Sequence, residues 1–311
     1  MAADASRVRV GVVGVGYFGR FHALKFSRHP RVDFVALADP DPARGVEVAA
    51  QCGVQAYTDP DAMLGMVDAV SIAAPAHLHG PLALKFLESG AHVLVEKPIA
   101  ATLDEADAVL AAAKAKGLVV QVGHQERAVL AEAGLFDFPE RPTRIHCVRK
   151  GPFTGRNIDV DVVLDLLTHD LDMAHALNPA QIEAAEAKGA AVKTPLLDDV
   201  SATLTLSDGA VVTLEGSRIN DKRDRRMRIE YPSGVVSIDF LARTLENSTP
   251  YALKDLFPAG EDNQGVAGDP LGYALDRFVS ACLGEGAPLV SGEDARFALA
   301  AAAAIQRAAG F

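Results

Sequence analysis

The residue types and spacings that could do chemistry begin near the start of this chain. Gly14-Val15-Gly16-Tyr17-Phe18-Gly19 follows an apolar run and opens a helical pattern. In that context Gly14 permits a tight turn, Gly16 lets the backbone approach a pyrophosphate, and Gly19 lets the helix pack close to the strand before it. Tyr17 and Phe18 sit between these glycines and are read with them as dinucleotide contacts. Asp39 ends the second apolar run, about 20 residues beyond Gly19, as the fingerprint requires. A carboxylate there can bind both hydroxyls of an adenosine ribose and repels a 2′-phosphate, so the expected cofactor is NAD rather than NADP. The alternative is a glycine turn that serves packing alone.

Further along, Lys97 stands in Glu96-Lys97-Pro98 at the end of another apolar run. Ligands of parallel sheets sit off the carboxyl ends of the strands, so Lys97 is expected to face the nicotinamide, with a solvated surface charge as the alternative. Asp165 and His169 lie one helical turn apart in VVLDLLTHDLDMAHAL. A carboxylate so placed can orient an imidazole and stabilise its protonated form, as a general base requires. With Asp172 they would form one polar stripe opposite a buried stripe of Leu164, Leu167, Leu171 and Ala174. A solvated helix face and a divalent metal site are the other readings of that stripe. Arg149, Lys150 and Arg156 surround Gly151-Pro152-Phe153, just before Asp159 and Asp161, and could clamp an anionic substrate group. A second basic run, Lys222, Arg223, Arg225, Arg226 and Arg228, alternates within a predicted strand and reads as solvated or subunit-facing surface.

The elements that must position these residues come in two styles. Up to Val122, short apolar runs alternate with helical patterns: strands at 7–13, 32–38, 69–74, 92–95 and 118–122, and helices through Arg28 and at 41–52, 80–89 and 102–116. Thr102 with Glu105 makes a helix-capping pair, and Gly90 and Gly117 fall at helix ends. Such alternation implies an α/β fold with a doubly wound parallel sheet. After Gly123 strands follow one another, at 144–149, 202–206, 210–216, 226–231 and 234–239. Hairpin signals at Ser207-Asp208-Gly209 and Pro232-Ser233-Gly234 join them into a large, mostly antiparallel sheet. One helix at 163–177 interrupts it and a helical tail closes the chain. Two domains are therefore expected, 1–122 for the cofactor and 123–311, an α+β domain, for substrate and oligomerisation. Asn247 to Pro270 is a candidate lid or subunit-contact loop.

Thirty Lys and Arg against 41 Asp and Glu leave a net charge of −11, which argues against nucleic acid or an anionic membrane surface as partner. No apolar stretch approaches the ~20 residues of a membrane span, no secretory signal is visible, and three distant cysteines fit no disulfide framework. A cytoplasmic protein is expected.

These motifs, in this order, resemble the glucose–fructose oxidoreductase/inositol dehydrogenase/MocA family of sugar oxidoreductases. The resemblance rests on GVGYFG, Asp39, His79 in APAHLHGPLAL, Glu96-Lys97-Pro98 and Asp165-x-x-x-His169, and it spans the chain. It implies a Rossmann domain that binds NAD, with cofactor contacts from Pro75, His79, Glu96 and Lys97. It also implies that Lys97 hydrogen-bonds the reacting hydroxyl, that His169 is the acid/base with Asp165 beside it, and that a homodimer or homotetramer forms through the C-terminal sheet. VGHQER at 122–127 and RKGPFTGRNIDVDVVLDLLTHDLD resemble the branch acting on nucleotide sugars, in particular enzymes that oxidise the C3 hydroxyl of UDP-N-acetylglucosamine for lipid A diamino-sugar synthesis. That finer resemblance implies substrate contacts from His124, Glu126, Arg127, Arg149, Arg156, Asp159, Asp165 and His169, and no metal. A dehydrogenase of an unphosphorylated sugar or inositol, and a non-catalytic NAD-binding regulator on the same fold, are the rival expectations.

Overall fold

A computed structural model describes the chain except for residues 1–5, 156, 255–265 and 267. The run after Arg7 becomes β1 (Val8–Val13), and strand and helix then alternate. The order is α1 (Tyr17–Phe26), β2 (Val32–Ala38), α2 (Pro42–Cys52), β3 (Gln55–Tyr57), β4 (Ala69–Ile72), α3 (His79–Glu88), β5 (His92–Val95), α4 (Leu103–Lys116) and β6 (Val120–Val122). Six strands form one parallel sheet in the order β3-β2-β1-β4-β5-β6. The chain changes direction of winding between β1 and β4, the switch point where open α/β sheets bind ligands. The expected cap holds: Thr102 Oγ1 accepts from the Glu105 N–H, and Gly117 ends α4 in the left-handed region. β3 escapes the sequence pattern because it is three residues long.

α5 (Arg127–Ala133) follows, and then a second sheet. Its strands are β7 (Arg144–Lys150), β8 (Ile182–Ala190), β9 (Asp199–Leu206), β10 (Val211–Ser217), β11 (Asp224–Tyr231), β12 (Gly234–Asp239) and β13 (Thr244–Asn247). They lie in the order β13-β12-β11-β7-β10-β9-β8, antiparallel except for the β7–β10 pair. β8 and β13 are edge strands, too polar to show alternation in sequence. A π turn at Val163–Leu167 runs into α6 (Thr168–Leu177). Leu167, Leu171 and Ala174 pack in one core with Ile145, Cys147, Leu214 and Met227. Gly216 lets this helix approach, since a Cβ there would lie 2.9 Å from Leu167 Cγ. The opposite face of the sheet carries ion-paired polar residues, among them Arg226 with Asp224, Arg228 with Glu230 and Lys150 with Glu215.

The division of the chain differs from the expected break at 122/123. One compact unit comprises residues 1–125 and 269–296, the other 126–268 and 297–311. The cause is α7 (Pro270–Cys282), whose Leu275, Phe278 and Val279 join the core of β1 and β2. The buried Gln121 side chain ties this stretch down, donating to Ala274 O and accepting from the Leu289 N–H. The chain-terminal α8 (Gly292–Ala308) gives Ala298, Ala301, Ala302 and Ile305 to the second core. Of the candidate lid, 255–265 and 267 lie outside the described residues. Its start is fastened to α5, where the Lys254 N–H donates to Ala133 O and its ammonium pairs with Glu132. Among the described residues no helix is long and apolar enough to cross a membrane, and the three cysteines form no disulfide.

Candidate active site

In the first unit the glycines behave as their spacing predicts. Gly14 has φ +80°, and a Cβ there would lie 2.7 Å from Ala73 O. A Cβ on Gly19 would collide with Gly14 O at 1.8 Å. Gly16 is different: a Cβ there meets nothing within 4 Å, and no side chain caps the start of α1. The first-turn N–H groups and the approach to Gly16 therefore fit a pyrophosphate. Tyr17 and Phe18 are exposed beside it, with their rings edge to face at 5.2 Å.

Asp39 is 2% exposed at the end of β2. Its carboxylate accepts from the Val15 N–H (2.8 Å), the Asp41 N–H (2.9 Å), and Arg44 Nη2 (2.7 Å) and Nε (3.1 Å). Burial pushes this carboxyl up, but Arg44 and the backbone donors more than offset it and hold Asp39 below the ordinary carboxylate value. The residue is thus a fixed anion just past the end of β2.

Around Lys97 the structure joins His79 and Glu96, named by the motifs, to His22, Ser71 and Gln125, which no motif named. His79 is clasped by two carbonyl oxygens, Pro98 O at 2.6 Å from Nδ1 and Ala74 O at 2.8 Å from Nε2. Both ring nitrogens are engaged within the fold. His79 therefore joins the turn after β4, where Pro75 lies, to the end of β5. The peptide between Lys97 and Pro98 is cis. Glu96 is similarly occupied: His22 Nε2 lies 3.1 Å from its carboxylate, and Gln125 Nε2 donates to it at 3.2 Å. His22 Nδ1 in turn lies 2.8 Å from Ser71 Oγ. Burial raises the Glu96 carboxyl, and His22, Lys97 and His79 more than reverse this. Gly123 makes room, since a Cβ there would lie 2.7 Å from Glu96 Oε1. Lys97 is half-buried, and His124 is buried at the end of the same sheet.

In the second unit a buried polar network lies between β7, β11 and α6. Arg149 is 2% exposed. It donates to Asp170 through Nε and Nη2 (both 2.8 Å) and to Glu126 through Nη1 (2.9 Å) and Nη2. Burial opposes its charge, but the two carboxylates more than compensate and keep it firmly protonated. Glu126 is held well below its ordinary value by Arg149, His169 and Arg225, against burial, while burial leaves Asp170 raised. Arg225 reaches Glu126 at 3.5 Å.

Three expectations need correction here. The anion clamp assigned to Arg149 is already filled from within the fold. Arg127, likewise expected to bind substrate, is 6% exposed and bound to the buried Asp172, with Nε 2.9 Å from Oδ2. Asp165, His169 and Asp172 are also not one stripe. The π turn shifts the helical register, leaving Asp165 and His169 half-buried while Asp172 turns inward to Arg127. Among the described residues no three His, Cys, Asp or Glu side chains could hold a metal ion.

Asp165 accepts from Asn157 Nδ2 at 2.7 Å. Asn157 has φ +51°, a conformation asparagine tolerates. Its loop is pinned by Arg218, which donates to Val160 O (2.7 Å), Asn157 O (3.1 Å) and the buried Asp198 (2.7 Å). Asp159 is exposed on this loop, and Arg156 lies outside the described residues.

Comparison with known proteins decides the class. The profile of an oxidoreductase family with an NAD-binding Rossmann fold matches residues 8–124, and the family's C-terminal domain matches residues 138–237. The chain belongs to the GFO/IDH/MocA oxidoreductase family. UDP-N-acetylglucosamine 3-dehydrogenase of Acidithiobacillus ferrooxidans is 37% identical over 76% of this chain and 76% of its own. A solved structure of GnnA, the UDP-N-acetylglucosamine 3-dehydrogenase of that organism, superposes with a TM-score of 0.89 at 33% identity over 97% of each chain. scyllo-Inositol 2-dehydrogenase (NAD(+)) of Bacillus subtilis is 28% identical over 68% of each chain. The protein is thus an oxidoreductase with an NAD-binding Rossmann domain, as its glycines and Asp39 predict.

Proposed function

We propose that this oxidoreductase oxidises the C3 hydroxyl of UDP-N-acetylglucosamine with NAD. The observation that carries the proposal is the 37% identity, over 76% of both chains, to an enzyme named for that reaction. When bound, NAD accepts the hydride from the sugar carbon. Gly14, Gly16, Gly19 and the start of α1 would hold its pyrophosphate, and Asp39 its adenosine ribose. Lys97 hydrogen-bonds the reacting hydroxyl, and His169 takes its proton as the carbonyl forms. Asp165, itself oriented by Asn157, steadies the imidazole. Asp159 and His124 are assigned to the sugar. We further propose a cytoplasmic homodimer or homotetramer joined through the open face of the second sheet, where the alternating Arg, Asp and Glu side chains suit a self-complementary contact. The product fits the lipid A diamino-sugar route.

A thermal-shift series with NAD present tests the substrate class. UDP-N-acetylglucosamine should stabilise the protein by about 2.7 kcal/mol at a hundredfold excess over its dissociation constant. Free N-acetylglucosamine and myo-inositol should leave it unchanged. Stabilisation by the inositol alone would favour the reading suggested by the inositol dehydrogenase relatives.

A further inference from the structure

We infer that Arg225, assisted by Arg223, binds a phosphoryl group of the substrate, the role that the saturated Arg149 cannot take. The inference rests on the nucleotide-sugar reading above. It begins from the strand's period of two. Arg225 is registered opposite Arg149 across the β11–β7 pair, so the two side chains share a face. Met227, Ile229 and Tyr231, of the same parity, are buried. Arg226 and Arg228, of the other parity, are exposed on the open face and matched to Asp224 and Glu230. The basic run therefore splits, and Arg225 alone of its strand arginines turns toward α6.

There Arg225 stays 40% exposed, with Glu126 as its ion-pair partner at 3.5 Å. That carboxylate already takes two N–H groups from Arg149. Glu126 thus serves two guanidinium groups, while Asp170, the other carboxylate of the network, is bound to Arg149. Arg223 is exposed nearby in chain, its Cγ 3.7 Å from where a Cβ of Gly151 would stand. Burial, then the charge of Arg149, and more weakly that of Arg223, pull Arg225 below the ordinary arginine value, which a bound anion would relieve. Guanidinium forks match phosphate oxygens in pairs, so a diphosphate is the ligand class this cluster takes.

The test uses the NAD-loaded enzyme and its variants R225A, R225K and R223A, titrated with UDP by calorimetry and assayed with UDP-N-acetylglucosamine. R225A should weaken UDP binding and raise KM by about 10- to 100-fold with kcat nearly unchanged, because the contact is equal in ground and transition states. R225K, which keeps a charge beside Glu126, should fall between wild type and R225A, and R223A should lose less than R225A. UDP binding and KM within twofold of wild type in folded R225A and R225K would overturn the inference, as would failure of the wild type to bind UDP. Should UDP bind and be lost in R225A while no UDP-sugar is oxidised, the phosphoryl site stands and the substrate reading falls.

Discussion

Replacing Arg149 with methionine separates a structural arginine from a substrate-binding one. In the fold Arg149 is 2% exposed and gives four N–H contacts to Glu126 and Asp170. Removing one partner of a buried ion pair costs about 3–5 kcal/mol, because the remaining charge is left uncompensated. For the unit that holds Arg149, residues 126–268 and 297–311, at about 2–4 °C per kcal/mol, the unfolding midpoint should drop by roughly 6–20 °C. Arg225 remains beside Glu126, so Asp170 is the stranded carboxylate. Burial already raises Asp170 above its ordinary value of 3.8. An acid raised in the folded state loses stability as pH rises through its unfolded value toward the folded one. The deficit of R149M should therefore be smaller at about pH 5 than at about pH 8. Changing Asp170 to Leu in the same chain should restore part of the loss, since exchanging both partners for apolar groups is close to neutral. Thermal unfolding followed by circular dichroism at the two pH values reads all three outcomes. An R149M midpoint within about 2 °C of wild type, with only KM raised, would refute the reasoning and return Arg149 to the substrate clamp.

Three further outcomes follow. Gly16→Ala should fold normally but lose NAD affinity in calorimetry, whereas Gly19→Ala should lower the midpoint, because only the second Cβ strikes the backbone; equal effects on stability would contradict the cradle. Asp39→Ala should narrow the preference for NAD over NADP by freeing Arg44 for a 2′-phosphate, and an unchanged affinity ratio would count against that site. Lys97→Ala and His169→Ala should each lower turnover by about 10²- to 10⁴-fold with NAD binding retained; full turnover in either at every pH would remove that residue from the mechanism.

The parallel sheet and the glycine turn that opens α1 are legible in sequence because each signal is local: a glycine needing positive φ, an acid at a strand end, a cap at a helix start. The second unit's site was only half legible. Asp165 and His169 share a recognisable spacing, but the π turn before α6 follows no period that a helical wheel tests, so the wheel sets Asp172 on the wrong face. Pairings such as Arg149 with Asp170, Arg127 with Asp172 and Arg218 with Asp198 join residues distant in sequence, and no spacing announces them. Arg225 was readable in part. Met227, Ile229 and Tyr231 set the parity of the buried face, which Arg225 shares, while Arg226 and Arg228 belong to the other.

Following NADH formation by absorbance with UDP-N-acetylglucosamine, free N-acetylglucosamine and myo-inositol tests the central claim most directly. The account predicts steady NADH production with the UDP-sugar alone, and a product carrying a carbonyl at C3 by mass spectrometry and NMR. Turnover of an unphosphorylated sugar or inositol, with none of any UDP-sugar, would contradict it.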